Sequence, residues 1–140
     1  MPANSGRLIF DVTAADPNIV YCLSAGTSPN YAFQGIYKST DAGITFVNAG
    51  LTADIFESTQ AWYDLAFCVS QTNANELYSG CLNVWGSTDG GATATKLNSW
   101  STYSSSFTHA DIHFLKFINN KLYCGSDGGI YVSEDGGLVF

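Results

Sequence analysis

The chain has 140 residues, enough for one compact domain, and its 46% hydrophobic and 14% aromatic content excludes a disordered tail. Only 12% of residues are charged, twelve acidic against five basic, for a formal net charge of −7. That sign repels phosphate backbones and anionic membrane surfaces, so neither nucleic acid binding nor membrane insertion is expected.

The first residues carry no apolar targeting core, and no stretch approaches the 18 apolar residues of a membrane span. A piece of a secreted chain whose signal peptide had been removed would read the same way. The first predicted element is Arg7–Val12, nearly continuously apolar, followed by strand-like runs at residues 18–22 and 35–38. Then comes Ser39-Thr40-Asp41-Ala42-Gly43-Ile44-Thr45-Phe46, which leads into a fourth short strand at 45–48. The same succession returns twice. Strands at 63–69, 75–79 and 83–86 precede Ser87-Thr88-Asp89-Gly90-Gly91-Ala92-Thr93-Ala94, with a fourth strand at 93–97. Strands at 112–117, 120–124 and 129–132 precede Ser133-Glu134-Asp135-Gly136-Gly137-Leu138-Val139-Phe140. The intervals between Asp41, Asp89 and Asp135 are 48 and 46 residues, room for about four short strands and their turns.

The repeated octet, Ser-x-Asp-x-Gly-x-Thr-aromatic in outline, has a mechanical reading as a tight turn. The Asp carboxylate accepts backbone N–H groups, the Gly takes a positive φ, and the Ser hydroxyl bonds locally. The structural set is therefore Ser39, Asp41, Gly43, Ser87, Asp89, Gly91, Ser133, Asp135 and Gly137. The aromatic that ends the octet is expected to point between units, as Phe46 and Phe140 can and Ala94 cannot, leaving the second unit looser there. These octets resemble the BNR or Asp-box repeats of sialidase-like β-propellers, sortilin-type receptors and secreted glycosidase-like propellers. The resemblance implies an all-β fold: a propeller segment of about three four-stranded blades at 5–50, 60–98 and 109–140. The third lacks its outer strand, and the ring is incomplete. The segments 62–66 and 109–113 are also similar to secreted bacterial propeller proteins, which implies an extracellular location. Three blades leave two apolar flanks without neighbours, to be covered by the remaining blades of a larger chain or by self-association.

The sharpest constellation is His109-Ala110-Asp111-Ile112-His113. In an extended segment the alternation places His109, Asp111 and His113 on one face, where they could hold Zn²⁺ or a similar divalent ion. Spacing along a strand, about 6.5–7 Å between same-face positions, demands a bend for all three to reach one ion. The plainer reading has Asp111 orienting one histidine while the other packs on an aromatic. No other cofactor is expected. Trp62 and Tyr63, with Trp100, Tyr103 and Phe107, suit sugar stacking or packing between blades. With His109, Asp111 and His113, Trp62 and Tyr63 form the candidate ligand set for a carbohydrate or protein partner.

Catalysis would require two carboxylates about 5–9.5 Å apart, for which Asp64 and Asp111 on adjacent blades are the candidates. The resemblance to sialidases would imply three arginines, and Arg7 is the only one. The chain alone therefore reads as a non-catalytic binding or scaffolding segment, with a fragment of a propeller glycoside hydrolase as the competing class. Gly125-Ser126-Asp127-Gly128-Gly129 reads as a hairpin turn. Cys22, Cys68, Cys81 and Cys124 read as buried small hydrophobes, with Cys68–Cys81 facing across neighbouring strands as the disulfide alternative.

Overall fold

The computed structural model describes residues 2–140, and among them the regular structure is entirely β. Eleven strands form three antiparallel sheets. The first holds β1 (Arg7–Val12), β2 (Val20–Ala25), β3 (Phe33–Ser39) and β4 (Val47–Asn48) in that order. The second holds β5 (Ala66–Val69), β6 (Leu77–Gly80), β7 (Val84–Ser87) and β8 (Thr95–Lys96). The third holds β9 (Ile112–Ile118), β10 (Lys121–Ser126) and β11 (Gly129–Ser133). The first strand of each sheet lies innermost, β5 packing between β1 and β9, so the sheets fan outward as blades of an unclosed ring.

Side chains tie the inner strands together. Asp11 Oδ2 accepts the Val69 N–H at 2.9 Å, and its Oδ1 takes Lys116 Nζ from the third sheet at 3.4 Å. Thr13 Oγ1 donates to Ser70 O at 2.6 Å. Arg7 donates to the carbonyls of Ala61 and Leu65 at 3.0 and 3.3 Å, clamping the first blade to the connection that enters the second.

Two apolar cores fill the seams. Tyr21, Leu23, Ile36, Ile55, Phe56, Phe67 and Leu77 pack between the first two sheets. Ala66, Tyr78, Val84, Ile112, Leu115 and Leu122 pack between the second and third. A void of about 10 Å³ lies beside Ala94, Trp85 and Phe67, at the place where the sequence lacks the octet's aromatic. All four cysteines are free and buried. Burial pushes the Cys22 thiol up to about 11 and those of Cys81 and Cys124 to about 12, which keeps them protonated and unreactive.

The three octets fold alike. Ser39 Oγ donates to Asp41 Oδ1 at 2.7 Å and accepts the Gly43 N–H at 2.9 Å. Asp41 then accepts the Thr45 N–H at 2.8 Å and the Thr45 hydroxyl at 2.6 Å. Ser87, Asp89, Gly91 and Thr93 repeat the pattern. Ser133, Asp135 and Gly137 do so with Val139 in the threonine's place, which loses the hydroxyl bond. These bonds favour the ionised carboxylate: the Thr45 hydroxyl foremost lowers Asp41 to about 2, and Thr93 does the same for Asp89.

Register makes the blades comparable residue by residue. Phe10 in β1 and Phe67 in β5 hold one position, two residues before the strand position aligned with the octet serine, as do Val12 and Val69 at the next same-face site. Phe67 and Val69 are 6% and 0% exposed, whereas Phe10 and Val12 are 51% and 55% exposed. At the other end Ile36 and Val84, three residues before their serines, are 2% and 0% exposed, whereas Ile130 is 78% exposed. The outer faces of the first and third blades are therefore bare at positions buried wherever a neighbouring blade is present.

Candidate functional site

In antiparallel blades, the connections between blades and the turns between second and third strands share one rim, opposite the octet turns. On that rim the segment 58–64 enters the second blade. Its backbone turns tightly, with the N–H groups of Tyr63 and Asp64 both donating to Gln60 O at 2.7 and 3.2 Å. This turn is why β5 begins at Ala66 rather than at Tyr63 as the apolar run suggested. It leaves Trp62 and Tyr63 facing solvent and sends Asp64 inward, where it is wholly buried.

Asp64 has both oxygens engaged. Gln60 Nε2 donates to its Oδ2 at 3.0 Å and to Asp111 Oδ1 at 2.5 Å, and the Cys81 thiol donates to its Oδ1 at 3.4 Å. One amide thus bridges carboxylates from adjacent blades. Their bridged oxygens lie no farther apart than the ~5–5.5 Å of a retaining glycosidase pair. Burial, assisted by the Asp111 charge, raises the Asp64 pKa above the usual carboxylate range.

The fold therefore binds more protons at Asp64 than the unfolded chain does at mildly acid pH. Stability is lost as pH climbs from the ordinary carboxylate value through the raised one, and returns on acidification. Asp41 and Asp89 act with the opposite sign below that window, since their stabilisation is lost as pH falls towards about 2. Asp64→Asn removes the ionisation while keeping an acceptor for Gln60 Nε2 and turning an amide N–H towards the Cys81 sulfur. We expect it to raise the urea midpoint at neutral pH and to flatten the wild-type decline as pH climbs above the ordinary carboxylate value. An unchanged slope would mean that another group sets it.

The expectation that His109, Asp111 and His113 share one face of an extended segment is corrected by the backbone. Asp111 has φ +63°, a left-handed conformation that breaks the alternation before β9 begins at Ile112. β9 is also irregular at its start, Ser126 pairing Ile112 and Gly125 pairing Phe114, which leaves His113 unpaired. The three side chains diverge. Asp111 meets Gln60, His109 Nδ1 donates to the Ala110 carbonyl at 3.0 Å, and His113 Nε2 donates to Asp127 Oδ1 at 2.8 Å. Among the described residues no group of three His, Cys, Asp or Glu side chains is arranged to hold a metal ion.

His113 belongs instead to a cluster with Tyr63 and Asp127. The Tyr63 hydroxyl donates to Asp127 Oδ2 at 3.1 Å, and its ring meets the His113 imidazole edge-on at 4.8 Å. Trp62 lies 5.7 Å from Tyr63, centroid to centroid. The bonds from His113 and then Tyr63 hold the Asp127 carboxyl below its usual range, and Asp127 in turn raises the Tyr63 phenol. The predicted hairpin turn at 125–129 forms between β10 and β11, but its Asp127 carries this second role. Trp62 and Tyr63 stand apart from the other predicted aromatics: Tyr103 stacks on Phe107 at 4.4 Å, and Phe107 meets Tyr131. Gln60 and Asp127, the two bridging residues, carried no signal in the sequence beyond membership of a loop and a turn.

No protein-family model and no curated protein sequence matches this chain. Solved structures do. A GH74 enzyme from Niastella koreensis superposes with a TM-score of 0.62 at 27% identity, over 94% of this chain and 21% of its own. A GH74 xyloglucanase from Xanthomonas campestris gives 0.63 at 20% identity, over 93% and 22%. YCF48 bound to a D1 peptide gives 0.61 at 16% identity, over 98% and 39%. All are β-propeller proteins, and the chain spans about a fifth of the length of the two GH74 enzymes. The fold is thus a β-propeller sector whose ring is not closed.

Proposed function

We propose that this chain is a sector of a larger, exported Asp-box propeller protein whose rim binds carbohydrate without cleaving it. The observation that carries the reading is the exposed Trp62–Tyr63 pair beside the His113–Asp127 pair and Asp111: flat apolar faces next to fixed polar groups. That combination suits a sugar, whose C–H face stacks while its hydroxyls bond outward. Support for a larger assembly comes from the bare flanks at Phe10, Val12 and Ile130, which further blades of the same protein would cover. The GH74 identity of the Niastella koreensis neighbour is consistent with a glycan ligand.

The competing reading, a glycoside hydrolase fragment, draws on the closeness of Asp64 and Asp111. Burial weighs against it, because Asp64 has no exposed surface and both its oxygens are bonded, so it does not reach a glycosidic oxygen. Its place is structural, anchoring the 58–64 turn on which the aromatics stand. A glycan array followed by titration calorimetry tests the proposal. Binding to at least one oligosaccharide class is expected, weakened at least tenfold, or ~1.4 kcal/mol, by Trp62→Ala. No binding on the array, or a Trp62→Ala variant of unchanged affinity, would overturn it, and turnover of chromogenic glycosides would favour the hydrolase.

A further inference from the structure

The two seams between blades open into matching clefts on the rim that carries the octet turns, away from the Trp62 site, and one of them contains its own cation. In the first cleft Lys38, the residue before the octet serine, crosses towards the second blade. Its Nζ donates to Asn75 Oδ1 at 3.2 Å and lies 5.4 Å from the centroid of the Tyr21 ring. It also stands 3.5 Å from the point a Cβ on Gly90 would occupy, with the Tyr21 hydroxyl 3.0 Å from the same point. A lysine ammonium thus sits between an aromatic face and the turn of the next blade.

The second cleft repeats the frame without the lysine. Tyr78 replaces Tyr21, and its hydroxyl is again 3.0 Å from the Cβ point of the corresponding turn glycine, Gly136. Gly86 stands in Lys38's register position, immediately before Ser87. The space grows from about 230 Å³ to about 300 Å³. A carboxylate has been added to it: Glu76 lines the cleft, its Oε1 taking the Tyr78 hydroxyl at 2.6 Å. Its Oε2 accepts no protein hydrogen bond among the described residues. Asp135 lines the same cleft, and the Ser133 hydroxyl and the Val139 N–H hold it in its charged form. Absence of the third blade's outer strand does not explain the cavity, because the first cleft exists with all four strands of the second blade in place.

We propose that the second cleft binds a primary alkylammonium group, supplied by a lysine side chain of a partner protein. An ammonium carries three donors for the Glu76 carboxylate and the hydroxyls of Thr88 and Thr95, and its alkyl stem lies against Leu97, another lining residue. The net charge of −7 draws such a group towards the protein. The first blade supplies the ligand from its own chain; the second leaves the place for another chain to fill. This inference does not depend on the carbohydrate reading, whose residues lie on the opposite rim.

Amide NMR spectra of the chain, titrated with N-acetyl-lysine methylamide, N-acetyl-norleucine methylamide and putrescine, test it. We expect saturable shifts at Gly86, Thr88 and Gly136 with the lysine derivative and none with its uncharged counterpart. Glu76→Gln should weaken binding at least tenfold, its remaining amide dispersion reporting that it is folded. Lys38→Ala, which empties the first cleft where no counterpart of Glu76 stands, should add no saturable shifts at Gly90. Equal shifts with norleucine, an unaffected Glu76→Gln variant, or no saturation would overturn the proposal. Tighter binding of putrescine than of the lysine derivative would overturn the assignment to a partner's side chain.

Discussion

Phe67→Ala is expected to cost about 3–5 kcal/mol, whereas Phe10→Ala, at the same register position one blade away, is expected to cost about 1 kcal/mol. Phe67 is buried in the seam between the first two sheets, so truncation forfeits its transfer energy and leaves a cavity lined by Ile36, Ile55 and Leu77. Phe10 is half exposed, and the Phe46 ring meets it edge-on at 6.0 Å. Against a typical total stability of about 5–15 kcal/mol, the first loss endangers folding and the second does not. Urea denaturation of both variants decides the matter, provided the slope with denaturant is unchanged. Comparable losses would mean that the flank carrying Phe10 is covered in solution, and the size of the particle by light scattering would then show whether a second copy covers it.

The contrast explains which parts of this molecule could be read in advance. Strand order and turn positions were legible because they are set locally. A hairpin closed by Asp41, Gly43 and Thr45 needs a carboxylate, a residue free to take φ +90° and a hydroxyl at fixed offsets, and those offsets survive in the sequence. The apolar run at 63–69 overstated β5, because the bond from Tyr63 N–H to Gln60 O closes a turn that hydropathy does not record. The metal-like alternation at 109–113 failed for a related reason: the left-handed backbone at Asp111, whose carboxylate is bonded by Gln60 from another blade, is a choice among allowed conformations that alternation does not record. Asp127 was visible only as a turn former, since its bonds to His113 and Tyr63 bring together residues 14 and 64 positions away. Local geometry leaves a trace in spacing; convergence of side chains from different blades does not.

Gly91→Ala is the second variant with a large expected effect, about 2–5 kcal/mol, set against about 1–2 kcal/mol for Gly43→Ala. Both glycines hold the fifth position of their octets and both have φ near +90°, so the cost of forcing a side chain into the left-handed region is common to the two. The surroundings differ. A Cβ on Gly91 would stand 3.0 Å from Ile36 Cγ2, 3.2 Å from Leu77 Cδ1 and 3.3 Å from Ala49 Cβ, enclosed by its own blade and the preceding one. Among the described residues a Cβ on Gly43 would meet only Val20 Cγ2, at 3.8 Å, because no described sheet packs on that side. Gly137 follows Gly91: a Cβ there would come within 2.7 Å of Leu97 Cδ1 on the second blade. The fifth-position glycine is therefore required twice, by the turn's dihedral and by the approach of the neighbouring blade, and the difference between Gly91 and Gly43 isolates the second requirement. Urea midpoints for the two alanine variants measure it. A Gly43→Ala loss as large as that of Gly91→Ala would show that a sheet packs against the first blade in solution, in the place where a preceding blade would stand.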